Sequence, residues 1–157
     1  MSYTNVYIHY VWATRKRCPL LQMPYRHTLF DHMYQNALRK GIYLDRVNGF
    51  TDHIHCLVWL RPAQTMDAVA QLLKGESAYW FNHYGGFGDL KLQWQEGYFA
   101  ASVCLSMIEK VRAYIDNQEQ HHQKRTFIEE YEQWKKLYLL TKDLDNSLAH
   151  YQLKTRR

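Results

Sequence analysis

The sequence predicts an α+β fold: a ferredoxin-like (RRM-like) βαββαβ antiparallel sheet with helices on one face, followed by a further helix and a C-terminal helix. Three observations carry this. The chain opens on a period of two. Two β-rich runs, residues 42–50 and 53–60, follow each other across a short turn, and helical stripes precede and follow that pair.

In order, Val6, Ile8, Tyr10 and Trp12 alternate with Tyr7, His9 and Val11, as in a strand with two distinct faces. Arg15-Lys16-Arg17 and Pro19 end it. Leu29, Phe30, Met33, Ala37 and Leu38 recur at helical spacing, and Gly41 stands where a C-terminal cap belongs. Residues 42–50 read as the second strand, 49–52 as a turn, and 53–60, closed by Pro62, as the third strand. Thr65 can cap a second helix with Asp67 in its first turn; Val69, Leu72, Leu73, Tyr79 and Trp80 trace its buried side. Gly85, Gly86 and Gly88 mark a loop, and residues 98–105 read as the fourth strand. Ser106 and Glu109 have the spacing of a capping box. They open a third helix with Met107, Val111, Tyr114, Ile115 and Gln118 along one stripe. A charged helix over residues 126–140 and a polar tail over about 141–157 complete the chain.

The 157 residues suit a single domain, and no repeat, low-complexity stretch or linker divides them. Hydrophobic residues at 46% and charged residues at 22% exclude a disordered tail protein. Twenty Lys and Arg against 15 Asp and Glu leave a net charge of +5, which permits a phosphate-rich partner without establishing one. Cys18, Cys56 and Cys104 lack C-x-x-C spacing, so neither a disulfide framework nor a thiolate zinc site is suggested. The N-terminal segment does not read as a secretory signal, and no apolar run approaches the roughly 18 residues of a membrane span. A cytoplasmic protein with no membrane partner is the expectation.

The segment richest in chemistry is Asp52-His53-Ile54-His55-Cys56-Leu57. Residues i and i+2 of a strand share a face, so His53 and His55 point the same way, roughly 6–7 Å apart. They can converge on one divalent metal if a third ligand arrives from elsewhere; equally, they can be two half-buried strand histidines. The second feature is Tyr114-Ile115-Asp116-Asn117-Gln118. Tyr114 and Gln118, at i and i+4, lie one above the other on a helix. A tyrosine can form a covalent ester that divides a displacement into two reversible steps, and an amide oxygen is a suitable hard ligand for Mg²⁺ or Mn²⁺. A tyrosine on an apolar stripe is more commonly core. The glycine motifs that cradle nucleotide phosphates are absent, so no nucleotide cofactor is expected.

An ordered set of segments extends these two. Thr14-Arg15-Lys16-Arg17-Cys18-Pro19-Leu20-Leu21 follows the first strand. Asp52-His53-Ile54-His55-Cys56-Leu57-Val58, Leu73-Lys74-Gly75-Glu76-Ser77 and Trp94-Gln95-Glu96-Gly97-Tyr98 come next, and Tyr114 to His122 closes the set. In this order the sequence resembles the single-tyrosine HUH transposases of small bacterial insertion sequences, relatives of the REP-associated tyrosine transposases. The resemblance implies a DNA transposase that binds single-stranded DNA with subterminal hairpins. It implies cleavage and rejoining through a 5′-phosphotyrosine link, with Mg²⁺ or Mn²⁺, by a homodimer. His53 and His55 match its metal ligands, Tyr114 its nucleophile and Gln118 its third ligand. The short C-terminal region favours the insertion-sequence type. Within the same context Arg15, Lys16, Arg17 and Lys74 are candidate DNA contacts. His9 reads as a packed or surface residue.

Two other readings remain open on the sequence. One is a catalytically silent ferredoxin-like nucleic-acid-binding protein, and the other an HUH replication-type nickase, which usually carries further domains.

Overall fold

The computed structural model describes residues 1–126, 128–130 and 132–133. The chain divides into two compact units, Met1–Glu119 and Gln120–Arg157. The first contains β1 (Val6–Ala13), α1 (Tyr25–Arg39), β2 (Tyr43–Gly49), β3 (His53–Leu60), α2 (Met66–His83), β4 (Phe99–Val103) and α3 (Ile108–Asp116). Gln118 opens the short helix α4 (Gln118–His122). The sheet order is β2-β3-β1-β4, and every neighbouring pair is antiparallel. This is the ferredoxin-like arrangement that the element order predicts.

Alternation along the central strands builds two different interiors. Ile8, Tyr10 and Trp12 of β1 and Ile54, Cys56 and Val58 of β3 face α1 and α2, where Leu29, Phe30, Met33, Val69, Leu73 and Phe81 complete the larger core. The intervening residues face the other way. There Leu57 packs with Ile108 and Ile115 of α3, flanked by Tyr7, Val103, Val111 and Tyr114. One face of the sheet is thus covered by α1 and α2, and the opposite face, which carries His9, His53 and His55, by α3.

Local chemistry explains most of the element ends. Gly41 adopts φ +70° beyond α1; its N–H donates to Leu38 O and that of Ile42 to Ala37 O, the paired bonds of a Schellman cap. Thr65 Oγ1 accepts from Ala68 N–H, as the capping expectation requires. The capping box does not form at Ser106. Residues Leu105–Met107 make a 3-10 turn instead, α3 starts at Ile108, and Ser106 Oγ lies 3.3 Å from Cys104 Sγ. A reciprocal box occurs at Thr126, whose N–H donates to Glu129 Oε2 while its Oγ1 accepts from Glu129 N–H. Of the expected helix over 126–140, residues 128–130 and 132–133 are helical; the rest of it and the tail at 141–157 lie outside the described residues.

Three side chains assigned to buried stripes are exposed: Leu38, Tyr79 and Met107. Leu38 and Tyr79 lie at the rims of their stripes, where one step of 100° turns a side chain from core to solvent, and Met107 falls in the 3-10 turn before α3. The fourth strand is also shorter than its β-rich run, Phe99–Val103 against 98–105. No helix among the described residues is long and apolar enough to cross a membrane.

Two glycine substitutions should act with opposite sign. Gly41→Ala forces a left-handed alanine and should destabilise the fold by about 1 kcal/mol. Gly75, inside α2 with open space around its Cα, should stabilise it by about 0.5–1 kcal/mol when replaced by Ala. Urea unfolding midpoints of the two variants test both signs.

Candidate active site

The site lies between β3, β1 and α3, within Met1–Glu119. His53 and His55 leave β3 on one face, and both are fully buried. Their ring centroids are 5.2 Å apart, with planes 78° from parallel. An imidazole buried without partners is costly, so its nitrogens need defined neighbours. His53 Nδ1 lies 2.8 Å from Asp52 Oδ1, and His53 Nε2 lies 3.4 Å from Gln118 Oε1. The amide orientation of Gln118 follows from its other end, where Nε2 donates to Tyr114 O at 3.2 Å. His55 Nδ1 lies 3.0 Å from Nε2 of His9.

His9 reaches this contact by sheet register. Val11 pairs with His55 and His9 with Leu57, so His9 and His55 are diagonal neighbours on the α3 face. Burial pushes the His9 imidazole down to about 4. Tyr114 completes the cluster from α3. Its ring is half-buried, with centroid distances of 5.6 Å to His55 and 6.3 Å to His9.

The helix that carries Tyr114 is anchored to the edge strand β2. Asp45 is the extra residue of a bulge between Leu44 and Arg46, which turns both Asp45 and Arg46 toward α3. Arg112 donates to both Asp45 oxygens, at 2.7 and 3.0 Å. Arg46 pairs with Asp116 at 3.3 Å. The Asn48 amide donates to Ile115 O and Asp116 O, in the last turn of α3 where the i+4 donors of a continuing helix run out. Just beyond Gln118, Glu119 accepts from the buried Arg26 at 2.7 Å. That hydrogen bond, against the opposing effect of desolvation, holds the Glu119 carboxyl below its ordinary range.

The four candidate DNA contacts divide into two pairs. Arg15 and Lys16 are exposed, with Arg15 Nη1 3.2 Å from Gln93 Oε1. Arg17 instead donates from Nε and Nη2 to Asp52 Oδ2, at 3.1 and 2.9 Å. Burial would raise the Asp52 carboxyl, yet hydrogen bonds from His53 and Arg17 keep it below the ordinary range. Lys74 Nζ donates to Gln95 O and Gly97 O, at 2.9 and 2.6 Å, and so ties α2 to the segment before β4. Desolvation lowers its pKa, against the raising effect of Asp67 and Glu96.

Sequence reasoning brought His53, His55, Tyr114 and Gln118 into one constellation, and the structure places them together. It missed His9 and Asp52 as neighbours of the ring nitrogens. Their signal was weak: His9 shares the period-two face of β1, but only the strand register shows which histidine it meets. His121 and His122 follow in the second unit, where His122 Nε2 lies 3.3 Å from Glu130.

Residues 2–118 match the family profile described as "Transposase IS200 like". Among solved structures, a protein from Deinococcus radiodurans R1 carrying a transposase designation superposes with TM-score 0.57 at 24% identity, covering 75% of this chain and 95% of its own. A REP-associated tyrosine transposase, solved bound to a REP hairpin, gives TM-score 0.50 at 16% identity, covering 79% of this chain and 74% of its own. Among curated proteins, none matches.

Acid should expose the buried state of His9. The unfolded chain takes up its proton near pH 6.5, whereas the folded protein takes it up only near 4. Stability is therefore complete above about pH 6.5 and declines as pH falls toward 4, by up to about 3 kcal/mol. Denaturant midpoints of the metal-free protein should follow this slope, and His9→Gln should flatten it. With the profile match covering most of its length and the sheet arranged as in these transposases, the chain belongs to the IS200-like transposase family and is a DNA-processing enzyme.

Proposed function

We propose that this transposase cuts and rejoins single-stranded DNA with Tyr114 as nucleophile, assisted by a divalent metal held by His53, His55 and Gln118. One observation carries the reading. His53 of β3 and Gln118 beyond α3, 65 residues apart in sequence, meet in one buried patch with the Tyr114 ring beside His55.

The donor set fits a metal. Asp52, as a carboxylate, only accepts hydrogen bonds, so a neutral His53 carries its proton on Nδ1 and presents a lone pair at Nε2. Gln118 Oε1 also only accepts, so two acceptors face each other across 3.4 Å. A cation resolves that confrontation. His53 and His55 would supply two imidazole nitrogens and Gln118 one amide oxygen, a mixed set that would hold Mn²⁺ readily and Mg²⁺ chiefly through the oxygen. A bound metal supplies Lewis-acid polarisation of the scissile phosphodiester.

The remaining steps belong to the chain's own groups. The Tyr114 phenol oxygen forms a bond to phosphorus, the bond from phosphorus to O3′ breaks, and the proton lost by the phenol is balanced by one gained at O3′. The 5′-phosphotyrosine link conserves the bond for rejoining, because an incoming 3′-hydroxyl reverses the same exchange. The anchoring of α3 to β2 holds the phenol beside the histidines before DNA arrives, which reduces the entropy lost in reaching the attack geometry. Arg15 and Lys16, exposed beside the end of β1, are suited to backbone phosphates. The neighbour solved with a REP hairpin supports a DNA hairpin as ligand, and the family resemblance supports hairpins at element ends and a homodimer.

The test is a covalent-adduct assay using single-stranded oligonucleotides from both flanks of the gene, resolved on a denaturing gel. Wild-type protein with Mn²⁺ should give a protein–DNA adduct. Tyr114→Phe, or EDTA, should reduce it at least a hundredfold while hairpin binding persists. An adduct of undiminished yield from Tyr114→Phe overturns the nucleophile. Binding without any adduct points to a catalytically silent nucleic-acid-binding protein.

A further inference from the structure

We infer that Arg17 and Asp52 form a positioning pair for His53, and that Arg17 is not a phosphate contact despite its place in a run of three basic residues. The inference rests on the metal-site reading above. The Asp52 carboxylate divides its two oxygens: Oδ1 lies 2.8 Å from His53 Nδ1, and Oδ2 accepts both Arg17 donors. The carboxylate is therefore gripped from the side away from the ring. It sets the proton on Nδ1 and aims the Nε2 lone pair at Gln118, as outer partners of metal-bound histidines do.

The backbone supplies an independent argument. Lys16 and Arg17 adopt φ +55° and +58°, left-handed conformations that strain a non-glycine residue. Such strain persists where the surroundings over-determine it, and it clusters at functional sites. The surroundings are on hand. Thr14 N–H donates to Asp52 O at 2.8 Å, and its Oγ1 donates to Cys18 O at 2.7 Å with Asp52 O 3.2 Å away; Arg17 N–H donates to Thr14 O, and Leu21 N–H donates to Thr51 O. The turn that ends β1 is thus stitched to the turn that precedes β3. Its strained residues carry the Arg17 guanidinium back over Asp52, while Arg15 and Lys16 project outward. A run that reads in sequence as one basic patch is divided by backbone conformation into two exposed cations and one committed to the site.

The experiment uses the full chain and three readouts. Calorimetry with MnCl₂ alone should show affinity about tenfold weaker in Arg17→Gln and about 10–100-fold weaker in Asp52→Ala, with Arg17→Lys restoring most of the loss. Imidazole ¹⁵N NMR of the metal-free protein should show His53 protonated at Nδ1 in the wild type and a mixed tautomer in Asp52→Ala. Hairpin binding in EDTA should stay within about twofold of wild type for Arg17→Gln and fall further for Arg15→Gln. Loss of hairpin affinity in Arg17→Gln at undiminished Mn²⁺ affinity overturns the inference. An unchanged His53 spectrum in Asp52→Ala also overturns it, with Asp52→Asn replacing that variant if circular dichroism shows it unfolded. Absence of Mn²⁺ binding by the wild type overturns the metal reading alone, because the tautomer measurement judges the positioning pair without metal.

Discussion

The complete burial of two imidazoles on one sheet face is the constraint on which the rest depends. A polar ring removed from water costs several kcal/mol unless its nitrogens are engaged. β3 is a central strand with both faces covered, so His53 and His55 cannot turn to solvent. Their neighbours must therefore come from elsewhere: Asp52 and Gln118 for one ring, His9 for the other. Each neighbour imposes a demand of its own. His9 requires the β1–β3 register, Gln118 requires α3 to end where it does, and Asp52 requires the turn before β3.

The same constraint explains why so much polar chemistry gathers on β2. As an edge strand it has one side free of sheet partners, and its bulge at Asp45 sends two successive charged side chains toward α3. A nine-residue helix has little stability alone. The apolar contacts of Ile108 and Ile115 hold it to the sheet, and Arg112–Asp45, Arg46–Asp116 and Asn48 fix its direction and its C-terminal end. Tertiary contacts, more than helix propensity, thus decide where Tyr114 stands.

Charged side chains were the least legible part of the sequence. Arg17 and Lys74 have the residue type of a phosphate contact, yet each is committed to internal acceptors, Asp52 in one case and the carbonyls of Gln95 and Gly97 in the other. A cation reports its charge in sequence but not its partner, because the partner lies 35 residues away for Arg17 and 21 for Lys74. Ser106 shows a related ambiguity. The S-x-x-E spacing was present, but a 3-10 turn took the place of the cap, and the reciprocal bonds formed at Thr126 and Glu129 instead.

Local patterns suffice for the element order, the antiparallel sheet, the two faces of β1 and β3, and the placement of His53 and His55 side by side. All of these follow from periodicities of 2 and 3.6 and from local caps, which act over a few residues. The sequence also singled out Tyr114 and Gln118, through their spacing on a helix and the ordered motifs around them. Long-range contacts are needed to place α3 on the face opposite α1 and α2, to bring His9 to His55, and to turn Arg17 onto Asp52. Strand register, a bulge and two left-handed residues set those meetings, and each joins segments that no local pattern relates.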